Sequence, residues 1–446
     1  MTKQQFLYAF FSALKENNLS YFVLGSYKSL PEDTNGSDID IVLSTQDIRL
    51  YERILHNLLC EGELTLASYY TNFNTKFYRI LSAGWGVQID VFYRGLCYKG
   101  VPYFPVEEMK DFVFLHNEVI YALQEQKGFF IDFFKELIHN GKAKEKYIEA
   151  VVQEVHTDTL GCQSMIERIY NKTIAETIIQ NATIEGLTYQ SRFLQKELRS
   201  CVVTWRQFLR IIDNSVQNIL RLFQKIPGYV IAVEGTDGSG KSFIINSITP
   251  ILNEAFHNGI VYNHLRPHVL PDIAEVLGKR KKQTDGSTMV VTDPHAQKQS
   301  GFAGSLVRWS YYMIDYTFGY LRKVWLQIHS KSKVFIFDRY YYEYYLDQRR
   351  SRVNLPMWIV RLGEFFIPKP DLILCLGGDP EKIYARKPET SLQEVTRQTM
   401  VLKDFCSKRK NAVWIDTTVA PEESINAAMK AIIEMMSKRF NIADLQ

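Results

Sequence analysis

Two carboxylates share one face of a short apolar segment near the N-terminus. Asp38 and Asp40 flank Ile39 in the stretch DIDIVL. Because successive side chains of a strand alternate between its faces, the two aspartates point to the same side. Like charges held this close repel, and neither can be buried in its ionised form without a partner. The pair therefore indicates either a solvated strand end or a cation site.

A third carboxylate lies in a predicted hairpin downstream. Strands over residues 76–81 and 87–93 flank the turn SAGWG, and the second strand carries Asp90 on its polar face. Three carboxylates at one sheet edge form a site of hard oxygen ligands that suits Mg²⁺, which binds substrate phosphates. Upstream, Gly25 and Ser26 end the first predicted strand, where a glycine lets backbone N–H groups approach a phosphate.

A second motif for phosphate chemistry begins at residue 235. The stretch GTDGSGKS fits G-x-x-x-x-G-K-[ST] at every required position, with a predicted strand before it and a predicted helix after it. Such a loop wraps phosphates with backbone N–H groups, Lys241 would reach the β- and γ-phosphates, and Ser242 would contact magnesium. The residues predicted to bind the nucleotide are Gly235, Asp237, Gly238, Ser239, Gly240, Lys241 and Ser242.

Two further groups of polar residues accompany this loop. Asp338 and Arg339 follow a predicted buried strand, at the edge where ligands bind in parallel sheets. Asp338 is suited to accept a proton or to hold magnesium through water, and Arg339 to clamp a phosphate. Arg386 ends a predicted helix over 379–387 that could serve as a lid supplying positive charge. Favourable placement of cations at a helix C-terminus explains Arg386 as well.

A third group lies on the aromatic-rich segment SLVRWSYYMIDYTFGYLRKV. Arg308, Asp315 and Arg322 follow one another at intervals of seven residues, a spacing that places them on one face of an α-helix. The polar stripe is either a buried ion-pair ladder or a wall that binds the acceptor, and both interpretations stay open.

Composition restricts the class of protein. The chain has 446 residues, of which 46% are hydrophobic and 23% charged, and it carries a net charge of +4. This length predicts two or three domains. Six scattered cysteines without a CxxC motif indicate a reducing compartment and disfavour structural zinc. Because neither a membrane-length apolar run nor a signal-peptide pattern is present, a cytoplasmic protein without a membrane span is expected.

Little in the sequence indicates a nucleic-acid partner. The net charge of +4 is slight, and the basic runs at 279–282 and 349–350 are short. The tyrosines of 340–345 could stack on bases, but ordinary core packing explains them as well. Nucleic-acid binding therefore ranks last among the hypotheses.

The pattern of elements divides the chain into three stretches. Residues 1–106 read as a mixed α/β domain, and residues 107–226 read as a helical connection without strands. Residues 227–446 alternate strands with helices, which predicts a doubly wound parallel sheet. The helical middle is expected to join the two domains, and homo-oligomerisation is left open.

The N-terminal residues resemble the signature of the nucleotidyltransferase superfamily. The resemblance rests on Leu24-Gly25-Ser26, the following loop, Asp38-Ile39-Asp40-Ile41 and the later Asp90. It implies a mixed-sheet nucleotidyltransferase-like domain in which Asp38 and Asp40 hold two metal ions. Asp90 would bind one of these ions and help to activate the attacking hydroxyl for in-line displacement. A fold that binds a nucleotide without reacting is the alternative.

Residues 227–440 resemble thymidylate kinase and its relatives. The similar stretches are EGTDGSGKS, the DRY at 338–340, PDLILCL at 370–376 and DPEKIYARK at 379–387. The resemblance implies ATP and Mg²⁺, a P-loop kinase domain, and a lid arginine at Arg386 beside Lys241, Asp338 and Arg339. Together RPHVLP, the DPH at 293–295 and DRYYYEYYLDQRR look more like the thymidylate-kinase-like proteins of bacterial surface-polysaccharide gene clusters. Some of these carry a nucleotidyltransferase-like front domain, and the setting implies a phosphorylated sugar or glycan end as acceptor.

The leading hypothesis is a two-module phosphotransfer enzyme. Its C-terminal domain would phosphorylate a small acceptor such as a sugar, a sugar phosphate or a nucleoside monophosphate. The residues assigned to acceptor binding are Arg266, Arg308, Asp315 and Arg339. The alternatives are a thymidylate kinase proper with a regulatory front domain, and a nucleotide-gated binding or scaffold protein without turnover.

Overall fold

A computed structural model describes residues 1–271 and 299–445. The chain divides into two compact units. The first comprises Met1–Leu81, Trp85–Lys225 and Phe440–Gln446, and the second comprises Ser82–Gly84 and Ile226–Arg439. The basic run at 279–282 and the DPH at 293–295 lie outside the described residues. No helix within 1–271 or 299–445 is long and apolar enough to cross a bilayer.

The first unit is built on a seven-stranded mixed sheet and a separate hairpin. Its strands are β1 (Tyr21–Val23), β2 (Ile39–Leu43), β3 (Thr65–Thr71), β4 (Thr75–Leu81), β5 (Gly86–Phe92), β6 (Leu96–Tyr98), β7 (Val101–Phe104), β8 (Val113–His116) and β9 (Ile120–Leu123). The order in the sheet is β3-β4-β5-β2-β1-β9-β8, and β6 pairs with β7. The pairs β2–β5 and β1–β9 are parallel. The antiparallel pairing of β4 with β5 confirms the hairpin predicted around SAGWG.

Nine helices of the first unit surround or follow this sheet. They are α1 (Lys3–Glu16), α2 (Ile48–Glu61), α3 (Glu107–Lys110), α4 (Glu125–Asn140), α5 (Glu145–Thr157), α6 (Thr159–Ile169), α7 (Lys172–Gln180), α8 (Ile184–Val202) and α9 (Phe208–Leu220). Helix α1 begins with a capping box, in which the Thr2 hydroxyl accepts from the Gln5 backbone and the Gln5 side chain accepts from the Thr2 backbone. Its buried residues follow the predicted helical period.

The stretch predicted to be helical from residue 107 contains two strands. β8 and β9 pair antiparallel, and β9 lies parallel to β1 with Val23 opposite Ala122. The first sheet therefore continues to Leu123. Each of these strands has four residues, which is too short for the period-2 pattern to stand out against a helix. Helices α4–α8 then share one apolar core with the sheet residues Phe22 and Val42.

The second unit contains a five-stranded sheet in which all strands are parallel. Its strands are β10 (Tyr229–Gly235), β11 (Ile260–His264), β12 (Val334–Asp338), β13 (Leu372–Gly377) and β14 (Ala412–Asp416), in the order β11-β12-β10-β13-β14. This confirms the predicted parallel sheet, to which β11 is an addition. After β10 the chain forms the two strands on one side of it, β11 and β12, and then the two strands on its other side, β13 and β14. The carboxyl end of β10 therefore lies at a topological switch point, where ligands bind in such sheets.

The described helices of the second unit are α10 (Lys241–Ala255), α11 (Phe302–Ile314), α12 (Leu326–Ser330), α13 (Glu343–Leu346), α14 (Met357–Glu364), α15 (Pro380–Arg386), α16 (Leu392–Ser407) and α17 (Pro421–Arg439). A π-helical segment, Asp315–Trp325, joins α11 to α12. One buried cluster combines aromatic side chains around Tyr340–Tyr344 with the apolar residues of β10, β12 and β13. The tyrosine-rich run is therefore core.

The prediction that Arg308, Asp315 and Arg322 share one helix face is wrong. The α-helical period ends at Ile314, and the wider π-helical turn that follows shifts the positions of later side chains. Asp315 is completely buried, whereas Arg322 is exposed.

Candidate functional site

The phosphate loop joins β10 to α10 and requires its glycines. Gly238 and Gly240 have φ angles of +79° and +81°, in the left-handed region that favours glycine. A Cβ atom on Gly235 would lie 2.4 Å from Oγ of Ser239 and 2.8 Å from the carbonyl oxygen of Leu376. These constraints arise from the backbone path, which is why the motif is recognisable in the sequence.

Two hydroxyl groups inside the phosphate loop have no hydrogen-bond partner among the described residues, whereas the lysine of the loop has two. Lys241 Nζ donates to the carbonyl oxygens of Gly235 at 3.0 Å and Thr236 at 2.8 Å. The hydroxyls of Thr236 and Ser239 are buried and have no hydrogen-bond partner among the described residues. Burial, and then the charge of Arg339, lower the pKa of Lys241 to about 8. Buried polar groups without partners indicate that a ligand or water completes the site.

Arg339 connects the end of β12 to this loop. Its guanidinium donates to Glu343 at 2.6 Å and to Asp237 at 2.7 Å, and Arg350 also bonds to Asp237. Arg339 itself has a φ of +66°, which is strained for a residue with a side chain. Burial alone would raise the pKa of Asp237, but the two arginines hold this pKa below its usual range. The sequence does not predict the contribution of Glu343 and Arg350.

Asp338 has one open acceptor position. Its Oδ2 accepts from the Tyr262 hydroxyl at 3.1 Å and lies 3.7 Å from Nδ1 of His264. Its Oδ1 is buried without a partner among the residues that the structure describes. Burial would raise the pKa of Asp338, but the nearby ring of His264 and the charges of Lys241 and Arg339 lower it to about 2. An ionised carboxylate with a free oxygen suits a metal ion or an incoming hydroxyl.

Helix α15 packs against the phosphate loop. A Cβ atom on Gly238 would lie 3.2 Å from Cβ of Lys387. Arg386 Nη2 donates to the carbonyl oxygen of Thr417 at 2.8 Å, and a Cβ atom on Gly240 would lie 3.9 Å from Cβ of Thr417. The helix predicted as a lid therefore already contacts the loop, and Arg386 is held beside it.

Arg266 and Asp315, predicted to bind the acceptor, form a buried ion pair. Arg266 Nη1 donates to Asp315 at 2.5 Å and to the carbonyl oxygen of Leu270 at 3.1 Å. Asp315 also accepts from the backbone N–H groups of residues 268–270, at 2.9–3.1 Å. The oxygens of Asp315 are thus occupied by protein donors, so Asp315 positions Arg266 and its loop. Arg308 is half-buried, and its Nε has no partner in the described part of the chain.

The three predicted carboxylates of the first unit come together. Asp40 lies directly opposite Asp90 on the parallel strands β2 and β5. Carboxylate oxygens of Asp38, Asp40 and Asp90, the carboxylate trio, all lie within 4.8 Å of one another. Burial, and then the charges of Asp38 and Asp90, raise the pKa of Asp40 well above its ordinary value. A cation among these oxygens would compensate for both effects.

Asp90 differs from Asp40 because its carboxylate accepts hydrogen bonds from protein side chains. Arg79 Nη1 donates to its Oδ1 at 3.0 Å, and Gln88 Nε2 lies 3.1 Å from each of its oxygens. Burial raises the pKa of Asp90, against the opposing charge of Arg79. Arg79 faces Gln88 across the β4–β5 pair, a relationship set by the register of the two strands.

Space remains beside Gly25 and Ser26. A cavity of about 410 Å³ borders these two residues and reaches Asp132 on α4. A Cβ atom on Gly25 would meet no atom within 4 Å. The residue with a positive φ angle at this point of the chain is Ser26, at +55°. A larger cavity of about 840 Å³ lies beside Ser20 and Ser44, at the other ends of β1 and β2 from the carboxylates.

Comparison with known proteins gives matches among solved structures, but none among family models or curated proteins. No family model matches the chain, and no curated protein does. Among solved structures, the thymidylate kinase from Ehrlichia chaffeensis is similar, with 16% sequence identity and a TM-score of 0.29. The match covers 45% of this chain and 95% of that one.

Glu234 directly precedes the phosphate loop, and the sequence did not indicate that it belongs to this site. Its side chain is fully buried, its Oε1 accepts from the Tyr340 backbone N–H at 2.7 Å, and its Oε2 has no partner among the described residues. Burial, and then the charge of Glu343, raise the pKa of Glu234 well above its ordinary value. In the sequence Glu234 merely ends an apolar strand, so no local pattern marks it.

Proposed function

We propose that the second unit transfers the γ-phosphoryl group of ATP to a small acceptor such as a sugar, a sugar phosphate or a nucleoside monophosphate. One observation carries this proposal: the hydroxyls of Thr236 and Ser239 are buried without partners among the described residues, in the loop whose carbonyl oxygens hold the ammonium of Lys241. A chain of phosphates supplies acceptor oxygens for all three groups, and the positive φ of Gly238 and Gly240 leaves the loop backbone free to wrap around it.

Each side chain of the site has a separate role in the proposed phosphoryl transfer. The bond between the γ-phosphorus and its bridging oxygen breaks while a bond to the acceptor oxygen forms. Lys241 and Arg386 would stabilise the negative charge on the transferred group. Asp338 would orient the acceptor hydroxyl and take its proton late, because a carboxylate with a pKa of about 2 is a weak base. Arg339 would hold a phosphate of either substrate.

Magnesium fits the same site. Ser242 at the start of α10 is the residue that would hold it. Binding of the ion through water to the open oxygen of Asp338 is the alternative to the contact of that oxygen with the acceptor hydroxyl. When bound, the ion neutralises charge on the phosphates. For the acceptor, Arg308 and the loop carrying Arg266 are the proposed contacts.

We further propose that the first unit is a metal-dependent nucleotidyltransferase-like module. The carboxylate trio would hold magnesium, which would supply positive charge to the phosphates of a nucleotide. The support is the 4.8 Å clustering of the three carboxylates and the open cavity beside Gly25 and Ser26.

An acceptor screen tests the main proposal. Full-length protein, Mg²⁺ and ATP labelled at the γ-phosphate are incubated with nucleoside monophosphates, sugars and sugar phosphates. We expect label on a sugar or sugar phosphate, and loss of that label in Lys241→Ala but not in Lys430→Ala, which changes an exposed lysine on α17. The same panel with ATP labelled at the α-phosphate, and Asp38→Ala/Asp40→Ala as control, tests the first unit.

Three outcomes separate the alternatives. Label on thymidine monophosphate would establish a thymidylate kinase. Tight ATP binding with no labelled product would indicate a nucleotide-gated binding protein and contradict phosphotransfer. Full activity of Lys241→Ala would contradict the assignment of the second unit.

A further inference from the structure

Asp90 is engaged by protein donors, whereas its neighbour Asp40 is not. Both oxygens of Asp90 accept hydrogen bonds, from Arg79 at 3.0 Å and from Gln88 at 3.1 Å. The half-buried side chain of Asp40 accepts no hydrogen bond from the residues within the described ranges. The trio is therefore asymmetric, although its three carboxylates are alike in type and close together.

Arg79 is a fixed cation. The residue is 5% exposed, its guanidinium carbon lies 5.6 Å from the ring centroids of both Tyr70 and Phe77, and its Nη2 is 3.4 Å from the Tyr70 hydroxyl. Its Nε is buried without a partner among the residues described. A guanidinium stays protonated at any pH at which the protein is folded. The positive charge beside Asp90 is therefore permanent and cannot swing away without unpacking the aromatic pair.

Charge balance limits what else the trio can hold. Among the trio and Arg79 alone, one divalent ion and one guanidinium balance three ionised carboxylates. A second divalent ion would leave two surplus positive charges in this group, beside the buried Asp90, which is costly. It would also have to displace Arg79 or Gln88 from Asp90 and leave a buried group unsatisfied.

We propose that Arg79 takes the place of a second metal ion, so that the carboxylate trio holds a single divalent ion on Asp38 and Asp40. This inference rests on the proposed function of the first unit and departs from the two ions that the family resemblance implies. Asp90 then serves mainly to hold the buried guanidinium of Arg79 beside the single ion. Arg79 is accordingly a positioning and charge-balancing residue.

Binding of Mn²⁺ tests the inference without any assay of turnover. Full-length protein without nucleotide is titrated with Mn²⁺, and free Mn²⁺ is measured by electron paramagnetic resonance. We expect one tightly bound ion per chain in the unmodified protein, and affinity at least tenfold weaker in Asp40→Asn. Arg79→Met should gain a second ion, whereas Arg79→Lys, which keeps the charge, should stay at one.

The outcomes distinguish this inference from the proposed function. Two tight ions in the unmodified protein, both lost in Asp40→Asn, would overturn the role of Arg79 while leaving the metal site intact. Stoichiometry of one in Arg79→Met would overturn it as well, provided that the variant melts as a folded protein. Absence of any binding that depends on Asp40 would overturn both proposals. Two tight ions in the unmodified protein would overturn the inference even if Arg79→Met does not fold.

Discussion

The guanidinium of Arg339 lies 2.7 Å from the carboxylate of Asp237, which ties the end of β12 to the phosphate loop. Arg350 bonds to the same carboxylate, and both arginines also lie beside Glu343, so Asp237 and Glu343 share the compensation of two arginines in a largely buried place. Without nucleotide, Asp237 is the main counter-charge that the loop itself provides. The loop is therefore ordered by protein charges before any phosphate arrives.

Removing this counter-charge should destabilise the protein. Asp237→Asn leaves Arg339 and Arg350 with less compensation, and we expect the free energy of unfolding to fall by about 1–3 kcal/mol. Urea unfolding monitored by circular dichroism measures the change. Asp404→Asn is the matched control, because Asp404 pairs with Lys408 on an exposed helix surface, and its loss should cost less than about 1 kcal/mol. Equal stability of Asp237→Asn and unmodified protein would contradict the proposed anchoring.

Nucleotide binding should weaken in alkaline solution. The pKa of Lys241 in the free protein is lowered to about 8, mainly by burial. Bound phosphates favour the charged ammonium, so binding raises that pKa and takes up a proton above it. The dissociation constant for ATP should be level from pH 6.5 to 7.5 and rise by up to about tenfold per unit above pH 8. Calorimetry at successive pH values measures it; a level profile to pH 9.5, or the same slope in Lys241→Met, would refute the assignment.

Asp338 should matter for turnover more than for ATP binding. In Asp338→Asn the open oxygen remains but its charge is lost, so we expect the phosphotransfer rate to fall about 10²–10⁴-fold. The dissociation constant for ATP should stay within about threefold, since the phosphate loop supplies most of the contacts. Tyr262→Phe is the control, because it removes only the hydroxyl that donates to Oδ2. Comparable losses in both variants would show that the environment of Asp338, rather than its charge, is required.

Replacing the buried acid Glu234 by its neutral analogue should stabilise the protein near neutral pH. Its folded pKa lies well above the ordinary value of 4.5. The stability associated with this acid is therefore fully present below about pH 4.5 and is lost as the pH rises toward the folded pKa. Glu234→Gln keeps the acceptor for the Tyr340 N–H and should gain about 1–3 kcal/mol at pH 7.5 but little at pH 4.5.

The matched variant, Glu343→Gln, should lower the stability of the protein where Glu234→Gln raises it. Glu343 pairs with Arg339 at 2.6 Å, so Glu343→Gln removes a buried ionic partner and should destabilise at pH 7.5. Thermal unfolding of both variants at the two pH values provides the measurement. A gain for Glu234→Gln that is the same at pH 4.5 and 7.5 would show that ionisation of Glu234 is not the cause.

Features that depend on a few neighbouring residues could be predicted from the sequence. The phosphate loop is recognisable because the backbone conformation at Gly238 and Gly240 requires glycine at fixed spacing. The convergence of Asp40 with Asp90 followed from strand alternation and a hairpin with a clear turn. The parallel sheet of the second unit followed from the alternation of strands with helices along the chain.

Features that depend on register or on distant packing could not be predicted. The contact of Arg79 with Asp90 requires knowing how β4 and β5 align. The burial of Asp315 depends on a π-helical turn, which has no sequence signal as clear as a glycine or proline. The pKa of Glu234 is raised by burial and then by the charge of Glu343, which lies more than one hundred residues later in the chain.

The strands β8 and β9 determine how long an isolated fragment of the first unit must be if it is to fold. A fragment ending at residue 106 would lose both strands and leave the backbone of β1 unpaired along one edge, a template for pairing between molecules. It would also lose α4, whose aromatic side chains cover Phe22 and Val42 on the sheet. Such a fragment should aggregate on expression, whereas one that extends to Lys225 retains all seven strands and the helices packed on them. Isolating the carboxylate trio for separate study therefore requires the longer fragment.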